Sequence, residues 1–159
     1  MPEYFNRTDD LYGGNIISAV RQPNIKVLRR MTNFASVTTS RLPRHLTPYL
    51  YAALLLKHEA IEIMAKSKHF KTDDIVNDST QATALHLIAL HSTNRPKDAM
   101  VTMKLLIEKY KCNLINTPDA FGHSPIFASI KSCDLNIMKY MVEAGADIDF
   151  QRNEGFNNT

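Results

Sequence analysis

The sequence predicts an all-α fold, a solenoid of about four stacked helix pairs with short finger turns between them. Two observations carry that expectation. The stretch from Asp119 to Asp149 reads D-A-F-G-H-S-P-I-F-A-S-I-K-S-C-D-L-N-I-M-K-Y-M-V-E-A-G-A-D-I-D. A turn signal (Asp119, Gly122) leads into a short helix opening on Ser124-Pro125; a second helix follows the polar break at Ser132 to Asp134 and ends at Gly145. The same order recurs upstream, from helix starts at Thr47 and Thr83. A helix pair of this size cannot bury its apolar face alone, so neighbours must stack on it.

Residues 1–14 are polar, with turn signals at Asp9-Asp10 and Gly13-Gly14, and read as an N-terminal lead-in to a repeat domain over 15–159. In the first unit, 15–46, Ile16, Ile17, Ala19 and Val20 share one apolar face. Pro23 breaks it, and Ile25, Leu28 and Met31 recur at helical spacing. The Ser/Thr/Arg-rich run from Thr32 to Leu46 reads as a long loop. The second unit, 47–77, opens on Thr47-Pro48, a hydroxyl cap followed by proline at the first helical position. Lys57-His58 lies at its inter-helix turn, and K-S-K-H-F after Met64 leaves the second helix short or tilted.

The third unit, 78–118, starts its first helix at Thr83 and places the second around Asp98 to Tyr110, with S-T-N-R-P-K inserted between them. Thr83 to Ser124 spans 41 positions, against 36 from Thr47 to Thr83. The fourth unit, 119–152, is followed by N-E-G-F at 153–156, the start of a further finger within 153–159. A stop so soon after a new turn leads to the expectation of either a truncated chain or a bare C-terminal edge, with truncation favoured.

Hydrophobic residues make up 44% of the chain and charged residues 22%, ordinary values for a globular domain. The net charge of +3 is uneven: residues 1–76 carry 11 Lys/Arg against 7 Asp/Glu, the remainder 8 against 9. That bias is too mild for a dedicated nucleic-acid binder. Cys112 and Cys133 form no C-x-x-C, and the charged N-terminus has no apolar h-region, so a reducing, cytoplasmic setting is expected. The apolar run from Tyr49 to Leu56 is far too short to span a bilayer.

The phrase T-P-Y-L-Y-A-A at Thr47, T-A-L-H-L-I-A at Thr83 and the S-P start with its closing E-A-G-A-D-I-D resemble ankyrin repeats. The resemblance covers roughly Asn15 to Phe156; it is strong in the last two units, fair in the second and weak in the first. Departures include Pro23-Asn24 where the family often has Gly-His, and Gln81 where the finger lacks its glycine. The first unit then reads as a degenerate capping repeat. Asn/Lys/Ile-rich ankyrin chains of this style look like those that intracellular bacteria and large DNA viruses deliver into host cells. That would place the chain in the host cytosol, as an effector.

Chemistry finds little support. None of the five glycines builds a phosphate loop, and G-x-S-x-G and H-E-x-x-H are missing. His91 follows His86 by five residues, not the four of a zinc pair. Cys112, His123 and Cys133 have no metal spacing, and free cysteines are mostly small buried hydrophobes. No cofactor is implied. The resemblance gives His86 a structural role, hydrogen-bonding neighbouring turns. His123, beside Gly122, is expected to be exposed.

The expected function is a protein–protein interaction module without catalysis, binding through the concave surface that the resemblance assigns to fingers and first helices. The candidate contacts are Ser79, Thr80 and Ala82 in the third finger, and Ala120, Phe121 and His123 in the fourth. Leu54, Leu55, Leu90, His91, Lys131 and Ser132 stand at the ends of first helices. Arg21, Lys26, Arg29 and Arg30 form a candidate patch for an acidic partner; an anionic membrane surface is a weaker candidate and nucleic acid ranks third. The chain is expected to be monomeric. The alternative is a targeting domain of a larger multidomain protein or enzyme whose catalytic part lies outside these residues.

Overall fold

A computed structural model describes residues 19–21, 26, 28–29 and 46–148. Within 46–148 the helices are α1 (Pro48–Leu54), α2 (His58–Met64), α3 (Ala84–His91), α4 (Pro96–Lys104), α5 (Pro125–Ser132) and α6 (Leu135–Glu143). They pair as α1/α2, α3/α4 and α5/α6. The first helices form an inner row in which α3 packs between α1 and α5, and the second helices form an outer row. This is the all-α solenoid expected.

Each inner helix begins where a hydroxyl residue precedes it. Thr47 Oγ1 accepts from the Leu50 amide at 3.2 Å, with Pro48 at the first helical position. Thr83 caps α3. Ser124 stands at the cap of α5, yet its buried hydroxyl has no hydrogen-bond partner. At α6 the carboxylate of Asp134 accepts from the Asn136 and Ile137 amides, both at 3.1 Å, so the polar break before it is a cap.

α2 ends at Met64 after seven residues, the short second helix foreseen. The second helix of the third unit starts at Pro96, two residues before the expected Asp98, because proline suits the first helical position. The inserted S-T-N-R-P-K supplies a 3₁₀ turn, Ser92–Asn94. α4 then widens into a π-helical turn, Leu105–Lys109, and so accommodates one extra residue.

The fingers are tight turns built on aspartate. Asp78 Oδ1 accepts from the amide and hydroxyl of Thr80 (2.7 and 2.6 Å), and Asp119 Oδ1 accepts from the amides of Phe121 and His123 (2.9 Å each). The Ala120 amide donates to the Thr80 carbonyl at 2.7 Å and so ties one finger to the next. An isolated antiparallel bridge joins Ile75 to Thr83 at the finger base.

The units share backbone geometry where they differ in sequence. Gly122 has φ 80° in the fourth finger, and Gln81 takes φ 51° at the matching place in the third. At the ends of the outer helices Gly145 has φ 104°, while Lys111 has φ 54°. Leu56 and Cys133 (φ 59° and 57°) do the same at inter-helix turns. A side chain in the left-handed region costs about 1–2 kcal/mol, against about 0.5–1 kcal/mol of extra chain entropy lost by glycine. Gln81 is exposed and packs little. Gln81→Gly is therefore expected to stabilise the fold by up to about 1 kcal/mol, raising the melting midpoint by roughly 2–4 °C. A lowered midpoint in thermal denaturation would contradict a strained finger.

In the first unit Ala19, Val20 and Leu28 are buried, while Arg21, Lys26 and Arg29 are exposed, as their apolar and polar faces require. The expected Pro23 break, the 32–46 loop apart from Leu46, Arg30 and the finger at 153–156 lie outside the described residues. Among the described residues no helix is long and apolar enough to cross a membrane.

Candidate functional site

Fingers and inner helices enclose a groove of about 330 Å³ on the concave side. Leu54, Leu87, Leu90, Phe127 and Ala128 reach it from the inner helices, and Thr80, Ala82, Phe121 and His123 from the fingers. Lys131 stands at its edge. Phe121 and Leu90 remain 48% and 45% exposed, so two large apolar side chains face solvent within one concavity. The rings of Phe121 and His123 stack at 6.5 Å, and that of Phe127 lies 5.8 Å from His123. His123 is thus half-buried between two phenylalanines and not the exposed finger residue expected; its neighbours' rings cover it.

Behind this wall lies the joint that holds it. The Thr83 amide donates to His86 Nδ1 at 3.1 Å, so Nδ1 carries no hydrogen and Nε2–H donates to the His123 carbonyl at 2.7 Å. Burial lowers the His86 pKa below that of a free imidazole, against the opposing pull of the His123 carbonyl, which keeps the ring neutral. His86 thereby fixes the fourth finger to the third repeat. One helix end further on, the Asn116 amide group donates to the Gly145 carbonyl (3.2 Å), and its oxygen accepts from the Asp147 amide (2.8 Å).

The joint is the neighbouring-turn contact that the T-A-L-H phrase implied. Residues 50–152 match the family model for ankyrin repeats, in three copies. The chain belongs to the ankyrin repeat family. Ankyrin repeats are in general protein–protein interaction modules and typically non-catalytic. No curated protein matches the sequence.

Of the ankyrin contacts expected from the sequence, Thr80, Ala82, Phe121, His123 and Lys131 line the groove, with Leu54 and Leu90. The rest do not. Ser79 and Ala120 are exposed on the fingers but are not among its lining residues. His91 is half-buried away from it, which lowers its pKa. Ser132 is occupied structurally: its hydroxyl reaches the Ala89 carbonyl of the preceding repeat at 2.9 Å. Leu46, Val76, Leu87, Phe127 and Ala128 were missed. Phe127 was legible in principle, since it stands at the place His86 holds one repeat earlier and opens its face to the groove.

Cys112 is buried, and burial pushes its thiol pKa up. Cys133 is exposed at a left-handed turn and departs from the buried cysteine expected. Among the described residues no three His, Cys, Asp or Glu group to hold a metal ion. The basic patch is partly committed: Arg21 donates to the Tyr51 hydroxyl at 3.0 Å, and with Lys57 and Arg95 it lines a separate cleft.

Proposed function

We propose that the groove binds a partner protein through an apolar segment, with Phe121 and Leu90 as anchors and no bond made or broken. The observation that carries this reading is the convergence of those two exposed side chains on one concave, mostly apolar wall. Asp78 and Asp119 spend carboxylate oxygens on holding the finger backbones. The fingers are therefore preorganised, which lowers the entropic cost of association. Lys131 at the edge offers a charge to an acidic flank of the bound segment.

A photo-crosslinking residue at position 90, compared with one at Lys97 on the outer row, tests this in cell lysate. A specific adduct is expected from position 90 and not from 97. Phe121→Ala is expected to weaken the captured complex about tenfold or more, as loss of a buried aromatic anchor does. Equal recovery by wild type and Phe121→Ala would remove the fourth finger from the contact.

A further inference from the structure

A second concavity gathers charge where the groove gathers apolar side chains. It holds about 420 Å³ between the end of α1 and the insertion of the third unit. Its polar lining is Arg21, Lys57, Asn94 and Arg95, and Leu54 to Leu56 form its apolar wall. Three cations thus face one space, and among the described residues no carboxylate lines it. The cleft between α4 and α6 differs: there Lys97, Lys104 and Lys139 stand with Asp134 and Glu143. Like charges gathered without a counter-charge repel one another, and an anion bound among them relieves that cost.

Local structure holds the three in place. The Leu55, Leu56 and Lys57 amides donate to the Tyr51, Ala53 and Ala52 carbonyls (3.0, 3.1 and 2.9 Å), so the turn that carries Lys57 is fixed. Arg21 donates to the Tyr51 hydroxyl, which orients the guanidinium without cancelling its charge and leaves it further N–H donors. Asn94 closes the 3₁₀ turn and Arg95 leads into α4. Both belong to the inserted S-T-N-R-P-K, so the insertion supplies one side of the cleft. Among the described residues the side chains of Lys57 and Arg95 are engaged in no hydrogen bond or ion pair.

We infer that this cleft is an oxyanion site that takes the phosphate group of a phosphate monoester, with the organic carrier lying against Leu54 and Leu55. A monoester carries about −1.5 to −2 charges at pH 7 and three acceptor oxygens. That answers three cations better than the single charge of a carboxylate, and an arginine can meet two of the oxygens at once. Leu54 and Leu55 are half-buried and offer the carrier an apolar surface that inorganic phosphate would not use. Neither Phe121 nor Leu90 lines the cleft, so the site stands apart from the anchors of the proposed partner binding.

Backbone-amide NMR titrations at low ionic strength test it. The probes are phenyl phosphate and N-acetyl-phosphoserine amide, with phenol and N-acetylserine amide as their phosphate-free controls. Saturable shifts are expected at Leu55, Leu56, Lys57, Asn94 and Arg95 with the phosphates and not with the controls. Tighter binding of phenyl phosphate would assign the site to a free organic phosphate, and tighter binding of the phosphoserine probe to a phosphorylated protein segment; either supports the inference. Lys57→Gln with Arg95→Gln should weaken binding about tenfold or more and leave helical circular dichroism unchanged. Lys104→Gln with Lys139→Gln makes the same change of net charge on the outer row and should alter binding by less than about twofold. Phe121→Ala should not alter it, so failure of this site and failure of the groove are told apart. No saturable shift with either phosphate, an equal response to the controls, or equal weakening by both lysine and arginine pairs would each overturn the inference, the last because it marks attraction to a basic protein at large.

Discussion

Leu85→Ala is expected to lower the melting midpoint by roughly 5–20 °C, the consequence of losing about 2–5 kcal/mol. Leu85 is fully buried on α3, which packs against an inner helix on each side. The cavity would weaken two repeat interfaces at once, and in a solenoid stability is close to a sum of repeat and nearest-neighbour terms. Leu90, five residues along the same helix, is 45% exposed in the groove. Leu90→Ala should therefore cost well under half as much. The ratio of the two losses tests the register of α3: comparable midpoints for the two variants would mean that the helix is rotated from the position described.

The pattern that made the fold legible was local and repeated. Hydroxyl starts at Thr47, Thr83 and Ser124, the polar break before Leu135 and the glycine after α6 each mark a helix end by backbone chemistry, which needs no knowledge of tertiary contacts. What escaped was set by packing. Pro96 moved the start of α4, the inserted S-T-N folded into a 3₁₀ turn, and a π-helical turn took up an extra residue that no spacing marked. Gln81 and Lys111 hide positive φ angles behind residues that do not advertise them; only the matching Gly122 and Gly145 show what the backbone does there.

The groove was half legible for a related reason. Of the six finger candidates, Thr80, Ala82, Phe121 and His123 line the groove, while Ser79 and Ala120, each one residue away from a lining residue, do not. The helix-end candidates depended on rotation about the helix axis. One residue along α3 separates Leu90, in the groove, from His91, outside it; Lys131 and Ser132 divide in the same way on α5. A spacing argument that is right to within one residue identifies the end of a helix and still misses its inward side.

Stability should fall as the solution is acidified below pH about 6.5, the value of a free imidazole. His86 and His91 both have folded pKa values below that of the unfolded chain, chiefly through burial. As pH drops through the unfolded value, the unfolded state takes up protons that the folded state resists, so their contribution is complete above that pH and is lost below it. For His86 the structural reason is direct: a proton on Nδ1 would remove the acceptor of the Thr83 amide.

His86→Ala separates this site from His91. It strands the buried Thr83 amide, worth about 1–3 kcal/mol when unsatisfied, and takes one of two donors from the His123 carbonyl, which keeps the Asp119 amide at 2.8 Å, and so should cost about 2–4 kcal/mol at neutral pH. The variant should also lose much of the acid-side slope, keeping only the share of His91. Denaturant titrations across the pH range measure both effects together. A variant as destabilised as expected but with the full wild-type slope would show that His86 holds the finger without sensing protons, and would move the titration to His91.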